Sequence, residues 1–510
     1  MCIRDRYYAA FRIPDFLFAT LASLLSLYAL LPVLSRLEQT HSGVMVSFLR
    51  KALLIFFVAM GAVSGLVYLC VPQLVTLLSP TIASPEMIML VRILLLQPIF
   101  LGASNILASL TQLRHRFFLY SISPVLYNLG IIFGLLFLYP RFGVSGLGWG
   151  VVLGALMHLC VQVPFFFSEK AEPRLPWHKT YKEFIHVLGL SVPRTLALAA
   201  GQISLFALVA IASFFSPGSI SVFMFAFNLQ AVPLTIIGVS YSVAAFPSLA
   251  RLHAAGKREE FAEYIETALR HIFFWAIPAT VLIIVMRAQL VRVILGAGAF
   301  SWEATRLTAA ALALFVVALA AQSVTLLIAR GYYAAGSTRK PLYWGVVDVV
   351  VSVCSSVLFV GLFTHSQFVR DFVEALLRVS DVPDTLVLML ALGYCVGSLA
   401  QFCVGFFFFM GDFNIPHIRL GRLIFQSFAA SVLGGGAAYL VLFVSGTAET
   451  INTLVGLVLQ GLVAGTVGLF TIACVLALLK NQELTEVLAA TKRRFASSTA
   501  PALEATEVSS

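Results

Sequence analysis

Long apolar runs separated by short polar connections cover most of this chain. A helix needs roughly 20 residues to cross about 30 Å of hydrocarbon, and about thirteen runs reach that length. They are 7–34, 52–78, 88–112, 117–139, 144–168, 187–213, 219–249, 271–295, 305–329, 342–364, 385–410, 420–445 and 451–479. Since an isolated strand cannot satisfy its backbone groups in lipid, every run is predicted to be a helix. The pattern therefore predicts an all-α polytopic membrane protein.

One stretch of the chain occurs twice. Ala10–Leu37 begins with Ala-Phe and ends with Pro-x-Leu-x-Arg-Leu, and Ala226–Leu252 does the same about 215 residues later. The tripeptide Gln-Leu-Val at 73–75 returns at 289–291 with nearly the same offset. A nearly constant offset over several places indicates an internal duplication.

The duplication predicts two pseudo-symmetric helical-bundle lobes on a six-plus-six plan, followed by two extra C-terminal helices. Run 187–213 precedes the second copy and no run precedes the first, so we expect the first helix of the plan to be missing. Equivalent spans are six apart, an even number, so we expect an axis along the membrane normal. The predicted domains are 1–168 (N-lobe, five spans), 169–186 (cytoplasmic linker between the lobes), 187–410 (C-lobe, six spans), 411–480 (two extra spans) and 481–510 (cytoplasmic tail, partly disordered).

Composition excludes a soluble globular protein. Hydrophobic residues make up 60% of the chain and charged residues 11%, with a mean hydropathy of +0.97, whereas a soluble domain carries about 25% charged residues. The net charge of +10 comes from Lys and Arg in alternate connections, which is typical of cytoplasmic membrane loops rather than of a nucleic-acid site. This alternation predicts that 169–186, 251–270 and the C-terminal tail are cytoplasmic.

Two segments outside the runs are also predicted to be helical. Residues 251–270 are rich in charge and are expected to form a cytoplasmic helix. In 366–380, Phe368, Phe372 and Leu376 are four residues apart with charged residues opposite. That spacing is typical of an interfacial helix, here on the outer surface.

Ionisable side chains inside the runs are functional candidates, because a charge at a helix centre costs roughly 2.5–3.5 kcal/mol. Arg12 and Asp15 share one helical face, so they either pair with each other or line a cavity. Arg194 lies about seven residues into its run, and it either contacts an anion in a cavity or extends to the cytoplasmic surface. Asp348 lies at a similar depth and is open to a structural or a functional interpretation.

Polar uncharged side chains on the same helices have two interpretations. Gln202, Ser204, Asn228 and Gln230 either join helices or line a cavity. The seven cysteines show no paired spacing and the chain has no phosphate-binding Gly loop, so we predict no cofactor, no metal site and no ATP hydrolysis. The predicted substrate-binding candidates are Arg12, Asp15, Arg194, Gln202, Asn228 and Gln230.

Several stretches in order resemble one transporter family. They are YYAAFRIPDFLF and LLPVLSRL in the first run, RHRF at 114–117, VPRTLALAAGQISL at 192–205 and ARGYYAAGSTRKP at 329–341. Together with the six-plus-six-plus-two plan, they resemble the MurJ/MviN-type lipid II flippases of the multidrug/oligosaccharidyl-lipid/polysaccharide exporter superfamily.

The resemblance implies a V-shaped, two-lobed transporter of the bacterial cytoplasmic (inner) membrane that serves peptidoglycan synthesis. A central cationic cavity would bind the pyrophosphate-sugar head of undecaprenyl-linked lipid II, and the last two spans would form a groove for its tail. Alternating access would be driven by an ion gradient or the membrane potential, in a protein expected to be a monomer. The chain departs from the family pattern where Phe18, Phe227 and Asn228 replace charged residues.

From these residues we expect Arg12 and Arg194 to face the cavity and contact the pyrophosphate. Asp15 would orient Arg12, while Asn228 and Gln230 would add neutral hydrogen bonds.

Three functions are therefore carried forward from the sequence. The first is lipid II translocation, and the second is export of other polyprenyl-pyrophosphate-linked oligosaccharides or of drugs. The third is a membrane-embedded glycosyltransferase, which would need paired carboxylates in an outer loop. The acids available for that role are Asp371, Glu374, Asp381 and Asp384.

Overall fold

The described part of the chain is almost entirely helical. The computed structural model describes residues 2–25, 30, 33–34, 36–38, 42–114, 116–169, 175–296, 300–413, 420–446 and 453–489. The α-helices are Cys2–Ala10, Arg12–Thr20, Ser42–Leu78, Pro85–Leu94, Gln97–Leu113, Phe117–Phe133, Tyr139–Phe142, Val144–Cys160, Val163–Ser168, Trp177–Ala212, Ser219–Leu234, Ser240–Ala254, Arg258–Val285, Arg287–Leu295, Trp302–Val317, Leu319–Ala334, Arg339–His365, Gln367–Leu377, Leu388–Asp412, Gly421–Val444 and Leu454–Leu478, followed by 482–489. Ala22–Leu25 and Thr385–Val387 are 3₁₀ turns, and Gly134–Leu138 and Thr235–Val239 are π-helical. The predicted all-α class is confirmed.

Ten continuous helices in the described residues are long and apolar enough to cross a membrane. Trp302–Val317 and Leu319–Ala334 together form an eleventh, bent by 45°. These eleven correspond to eleven of the predicted runs. Of the remaining two, run 7–34 lies only partly in the described residues, and 187–213 lies in the helix Trp177–Ala212. The polytopic architecture is confirmed, whereas the total of thirteen spans is not.

The helices pack into two compact units. Unit 1 comprises Met1–Phe225, Ser337–Phe372 and Asp384–Gln401. Unit 2 comprises Ala226–Gly336, Val373–Pro383 and Phe402–Ser510. The lobe and tail boundaries derived from the sequence stay a prediction.

Unit 1 contains a tightly packed pair of glycine-rich helices. Gly130 and Gly134 face Gly150 and Gly154 across the pair, and a Cβ added at Gly150 would lie 2.5 Å from the Gly134 Cα. Small residues let membrane helices approach until their backbones touch, which maximises van der Waals contact where lipid supplies no hydrophobic drive. These glycines therefore fix the spacing of the two helices.

Unit 2 uses the same device for the last two spans. A Cβ added at Gly434 would lie 2.7 Å from the carbonyl oxygen of Gly468. One added at Gly468 would lie 2.8 Å from Leu282 Cδ2, on the helix Arg258–Val285. The two C-terminal spans are thus packed closely against each other and against the body of unit 2.

The two segments predicted outside the runs gave different results. Residues 251–270 do not form a separate helix, because a turn at Gly256 (φ +69°) divides them between Ser240–Ala254 and Arg258–Val285. Only glycine adopts this left-handed backbone without strain. In contrast, Gln367–Leu377 is a helix with Phe368 exposed, as predicted. Phe372 and Leu376 are exposed on the same face.

Candidate functional site

Arg12 and Asp15 form the ion pair that their spacing allows. They lie in the first turn of the helix Arg12–Thr20, with Arg12 Nη2 3.4 Å from Asp15 Oδ2. The Arg12 side chain is 11% exposed, and its Nε donates a hydrogen bond to the Tyr8 carbonyl at 3.3 Å. Two local acceptors thus hold the guanidinium in a largely buried position, where an unpaired charge would be expensive.

The helix Arg12–Thr20 packs against Trp177–Ala212 within unit 1. Arg12 lines a small cavity of about 10 Å³ together with Phe206 and Val209 of that helix. Gln202 of the same helix is half-buried. Arg194 lies about 12 Å from Gln202 along the helix axis at 1.5 Å per residue, and its side chain falls outside the described residues.

Gln230 and Asn228 lie in unit 2 on the helix Ser219–Leu234 and have different surroundings. Gln230 is 1% exposed, and its Nε2 donates a hydrogen bond to Gln322 Oε1 at 2.5 Å. Gln322 belongs to Leu319–Ala334, so this bond joins two helices. Asn228 is exposed. The structure therefore gives Gln230 a helix-joining contact, and the use of either residue in binding stays a prediction.

Asp348 is a buried acid within the span Arg339–His365. It is 6% exposed, and Ser352 Oγ donates a hydrogen bond to its Oδ1 at 3.3 Å. None of the ion pairs between described residues involves Asp348. Since buried charges are normally paired, this carboxyl group is a stronger functional candidate than its sequence position alone indicated.

An apolar groove of about 570 Å³ lies in unit 2. We call it the apolar groove; its lining is Pro233, Ile236, Ile237, Tyr241, Phe274, Trp275, Pro278, Ala279, Leu282, Leu469, Ile472, Ala473, Leu476, Leu484 and Val487. The last span, Leu454–Leu478, forms one wall, but Gly421–Val444 does not line the groove. The groove is thus lined by the last span, the region from Pro233 to Tyr241, the helix Arg258–Val285 and the helix 482–489, whereas the sequence predicted a groove formed by the last two spans.

Another part of the groove lining has an irregular backbone. Pro233 lacks an amide hydrogen, and the π-helical turn Thr235–Val239 follows directly. Proline and π-helical turns both distort a helix, and π-helical turns occur often at functional sites. Ile236, Ile237 and Tyr241 of this region line the groove.

Two of the acids between the spans 339–365 and 385–412 have defined surroundings. Arg306 donates hydrogen bonds at 2.6 Å to both carboxylate oxygens of Asp381 and at 2.6 Å to the Arg378 carbonyl. The Arg306 hydrogen bond holds the pKa of Asp381 below its ordinary value. Glu374 is buried. Asp381 therefore anchors this connection, which does not favour a glycosyltransferase site.

Comparison with known proteins identifies a family. A model of the lipid II flippase MurJ family matches residues 2–370. The chain is 25% identical over 415 residues to the lipid II flippase MurJ of Burkholderia cenocepacia, covering 78% of this chain and 76% of that protein. It is 24% identical over 296 residues to a probable lipid II flippase MurJ of Thermotoga maritima, covering 56% of this chain and 59% of that protein.

Solved structures show the same fold. A lipid II flippase MurJ in an inward closed conformation superposes with a TM-score of 0.72 at 19% identity, covering 94% of each chain. An inward-facing multidrug resistance MATE transporter of the MOP superfamily gives 0.65 at 14% identity, covering 81% of this chain and 90% of that one. The family consists of lipid transporters rather than enzymes. Since the family match spans most of the sequence, this chain belongs to the MurJ family of lipid II flippases.

Proposed function

We propose that this protein translocates lipid II, the lipid-linked peptidoglycan precursor, across the bacterial cytoplasmic membrane by alternating access. The proposal rests on the apolar groove, which is partly lined by the last span of this protein, together with the match of the chain to the MurJ family. A long hydrocarbon chain fits such walls, because each CH₂ group finds apolar neighbours and no unpaired polar atom is buried.

The head group is proposed to bind at Arg12, Arg194 and their neighbours. A pyrophosphate at bilayer depth needs fixed cations, since its desolvation without a partner is prohibitive. Arginine suits this task, because its planar fork binds phosphate through two hydrogen bonds and stays charged when buried. Asp15 supports this role by orienting Arg12 at 3.4 Å. Gln202, Asn228 and Gln230 are proposed to supply neutral hydrogen bonds.

Orientation and coupling complete the proposal. The segments 169–186 and 251–270 and the C-terminus are proposed to lie in the cytoplasm, because basic residues are concentrated on the cytoplasmic side of membrane proteins. We further propose that transport uses an ion gradient or the membrane potential rather than ATP, with Asp348 as the group that takes up the coupling ion. The protein is proposed to act as a monomer.

Rescue of a bacterial strain depleted of its own lipid II flippase tests the substrate. Expression of this protein should restore growth and normal cell shape, because peptidoglycan synthesis needs lipid II on the outer face. Cells that carry the empty expression vector are the control, and the membrane-inserted Arg194→Ala variant is expected to fail to rescue them. Failure of rescue at normal expression, together with export of other polyprenyl-linked oligosaccharides or of drugs, would move the assignment elsewhere in the superfamily.

A further inference from the structure

A short helix with acidic side chains lines part of the apolar groove. The helix 482–489, which we call the latch helix, contributes Leu484 and Val487 to the groove lining. Its Glu483 accepts a hydrogen bond from Arg270 Nε at 2.7 Å, and Glu486 Oε2 lies 3.5 Å from the Nε2 of a histidine, His271. The latch helix therefore makes both apolar and charged contacts with unit 2.

Two basic side chains lie directly beyond the groove lining. Arg270 and His271 precede Phe274 and Trp275 by one helical turn on the helix Arg258–Val285. The ring of His271 stacks on Tyr241, a groove residue, at an interplanar angle of 12°. Its Nδ1 is buried and has no hydrogen-bond partner among the described residues. Two basic side chains thus lie within one helical turn of the apolar lining.

Apolar walls with a cationic end match one ligand class, a long-chain lipid with a phosphate or pyrophosphate head. A carboxylate and a phosphate both accept charge-assisted hydrogen bonds from the planar guanidinium of arginine. In the structure the carboxylate of Glu483, whose side chain is 4% exposed, is the anion paired with the Arg270 guanidinium. Because desolvation offsets most of the Coulombic gain of a buried ion pair, exchange of one anion for another requires little net free energy.

The start of the latch helix is fixed by neutral contacts. Lys480 has a left-handed backbone (φ +51°), which turns the chain after the last span. Asn481 Oδ1 accepts a hydrogen bond from the Leu484 amide at 3.0 Å, and Asn481 Nδ2 donates to Gln426 Oε1 at 3.0 Å. Loss of the carboxylate contacts would therefore free the groove-facing part of the helix while its start stays in place.

We propose that the latch helix occupies the head-group end of a lipid site. Glu483 and Glu486 hold Arg270 and His271 until the phosphate of a lipid whose chain lies in the groove replaces them. This inference rests on the proposed function, because it assigns the groove to the chain of the transported lipid. It adds a phosphate contact within unit 2 to the head-group contacts proposed at Arg12.

Binding of undecaprenyl pyrophosphate to purified protein in detergent tests the site. Glu483→Gln removes the competing charge and should tighten binding about tenfold. The double variant Arg270→Gln, Glu483→Gln leaves no buried charge unpaired and should bind more weakly than the wild type. Glu260 lies on the same helix as Arg270 and forms an exposed ion pair with Lys257, so the control Glu260→Gln should bind as the wild type does.

Two further measurements test the ligand class and the displacement of the latch helix. Inorganic pyrophosphate, which has no hydrocarbon chain, should show no such ranking, and the same ranking for inorganic pyrophosphate would contradict a lipid site. Amides of 482–489 should exchange hydrogen faster when undecaprenyl pyrophosphate is bound. Equal affinity of all variants for undecaprenyl pyrophosphate, or unchanged hydrogen exchange of the 482–489 amides when it binds, would contradict the latch proposal.

The proposed function fails separately from the latch. If the wild type translocates lipid II but all variants bind undecaprenyl pyrophosphate equally well, the proposed function stands and the latch proposal fails. If the variants show the predicted order of affinities but the wild type does not translocate lipid II, the latch proposal stands and the proposed function fails.

Discussion

Filling the apolar groove tests whether it holds a lipid chain, through the substitution Ala473→Trp. The groove volume is about 570 Å³. If a CH₂ group takes about the volume of a water molecule, about 30 Å³, the groove holds roughly 19 such groups. At about 0.8 kcal/mol each, their removal from water would be worth about 15 kcal/mol. A lipid chain already lies in hydrocarbon, however, and lipid tails are as apolar as leucine.

The expected effect of the substitution is therefore far smaller than 15 kcal/mol. Packing gains of about 0.1 kcal/mol for each group give about 1–2 kcal/mol in total, which is roughly a tenfold change. Ala473→Trp should thus slow lipid II translocation in proteoliposomes about tenfold. Leu462→Trp is the matched control, since Leu462 lies on the same helix, is exposed and does not line the groove. Equal rates for both variants, with equal melting temperatures, would refute the assignment of the groove.

Three further predictions concern packing and binding. Gly150→Ala should lower the free energy of unfolding by about 1–3 kcal/mol, because the added Cβ would contact the backbone of the neighbouring helix. The control Gly61→Ala has nothing within 4 Å of the added Cβ and should melt at or above the wild-type temperature. Similar melting temperatures for the two variants would contradict the close approach of the helices at Gly150. Gln230→Leu removes one hydrogen bond from the buried Gln322 amide and should lower the free energy of unfolding by about 1–3 kcal/mol. Adding Gln322→Leu should restore most of this stability. A double variant as unstable as Gln230→Leu alone would refute the contribution of this hydrogen bond. Arg194→Ala should abolish lipid II translocation and Arg194→Lys should restore part of it, whereas full activity of Arg194→Ala would remove Arg194 from the site.

The membrane made much of this fold predictable from sequence. Hydrocarbon thickness imposes a minimum length on each apolar run, so helix positions follow from hydropathy alone. The local four-residue spacing of Phe368, Phe372 and Leu376 likewise predicted a helix within 366–380, where the structure has Gln367–Leu377 with these three side chains exposed. The turn at Gly256 was missed although a glycine marked it, because the charged residues on either side were taken as one helix.

Tertiary polar contacts could not be predicted in the same way. Gln230 pairs with a residue 92 positions away, and Arg270 with one 213 positions away. No local pattern encodes such pairs, because each partner is a single polar residue in an apolar or mixed segment. Arg12 and Asp15 are the exception, since their three-residue spacing on one helix is itself the signal.

Translocation of fluorescent lipid II by the purified protein in proteoliposomes tests the central claim most directly. The account predicts transfer of lipid II between leaflets without ATP, at a rate that depends on an imposed ion gradient or membrane potential. Protein-free liposomes and the Arg194→Ala variant should show none. Correctly inserted protein that leaves lipid II in its original leaflet under every gradient, or that requires ATP, would contradict the account.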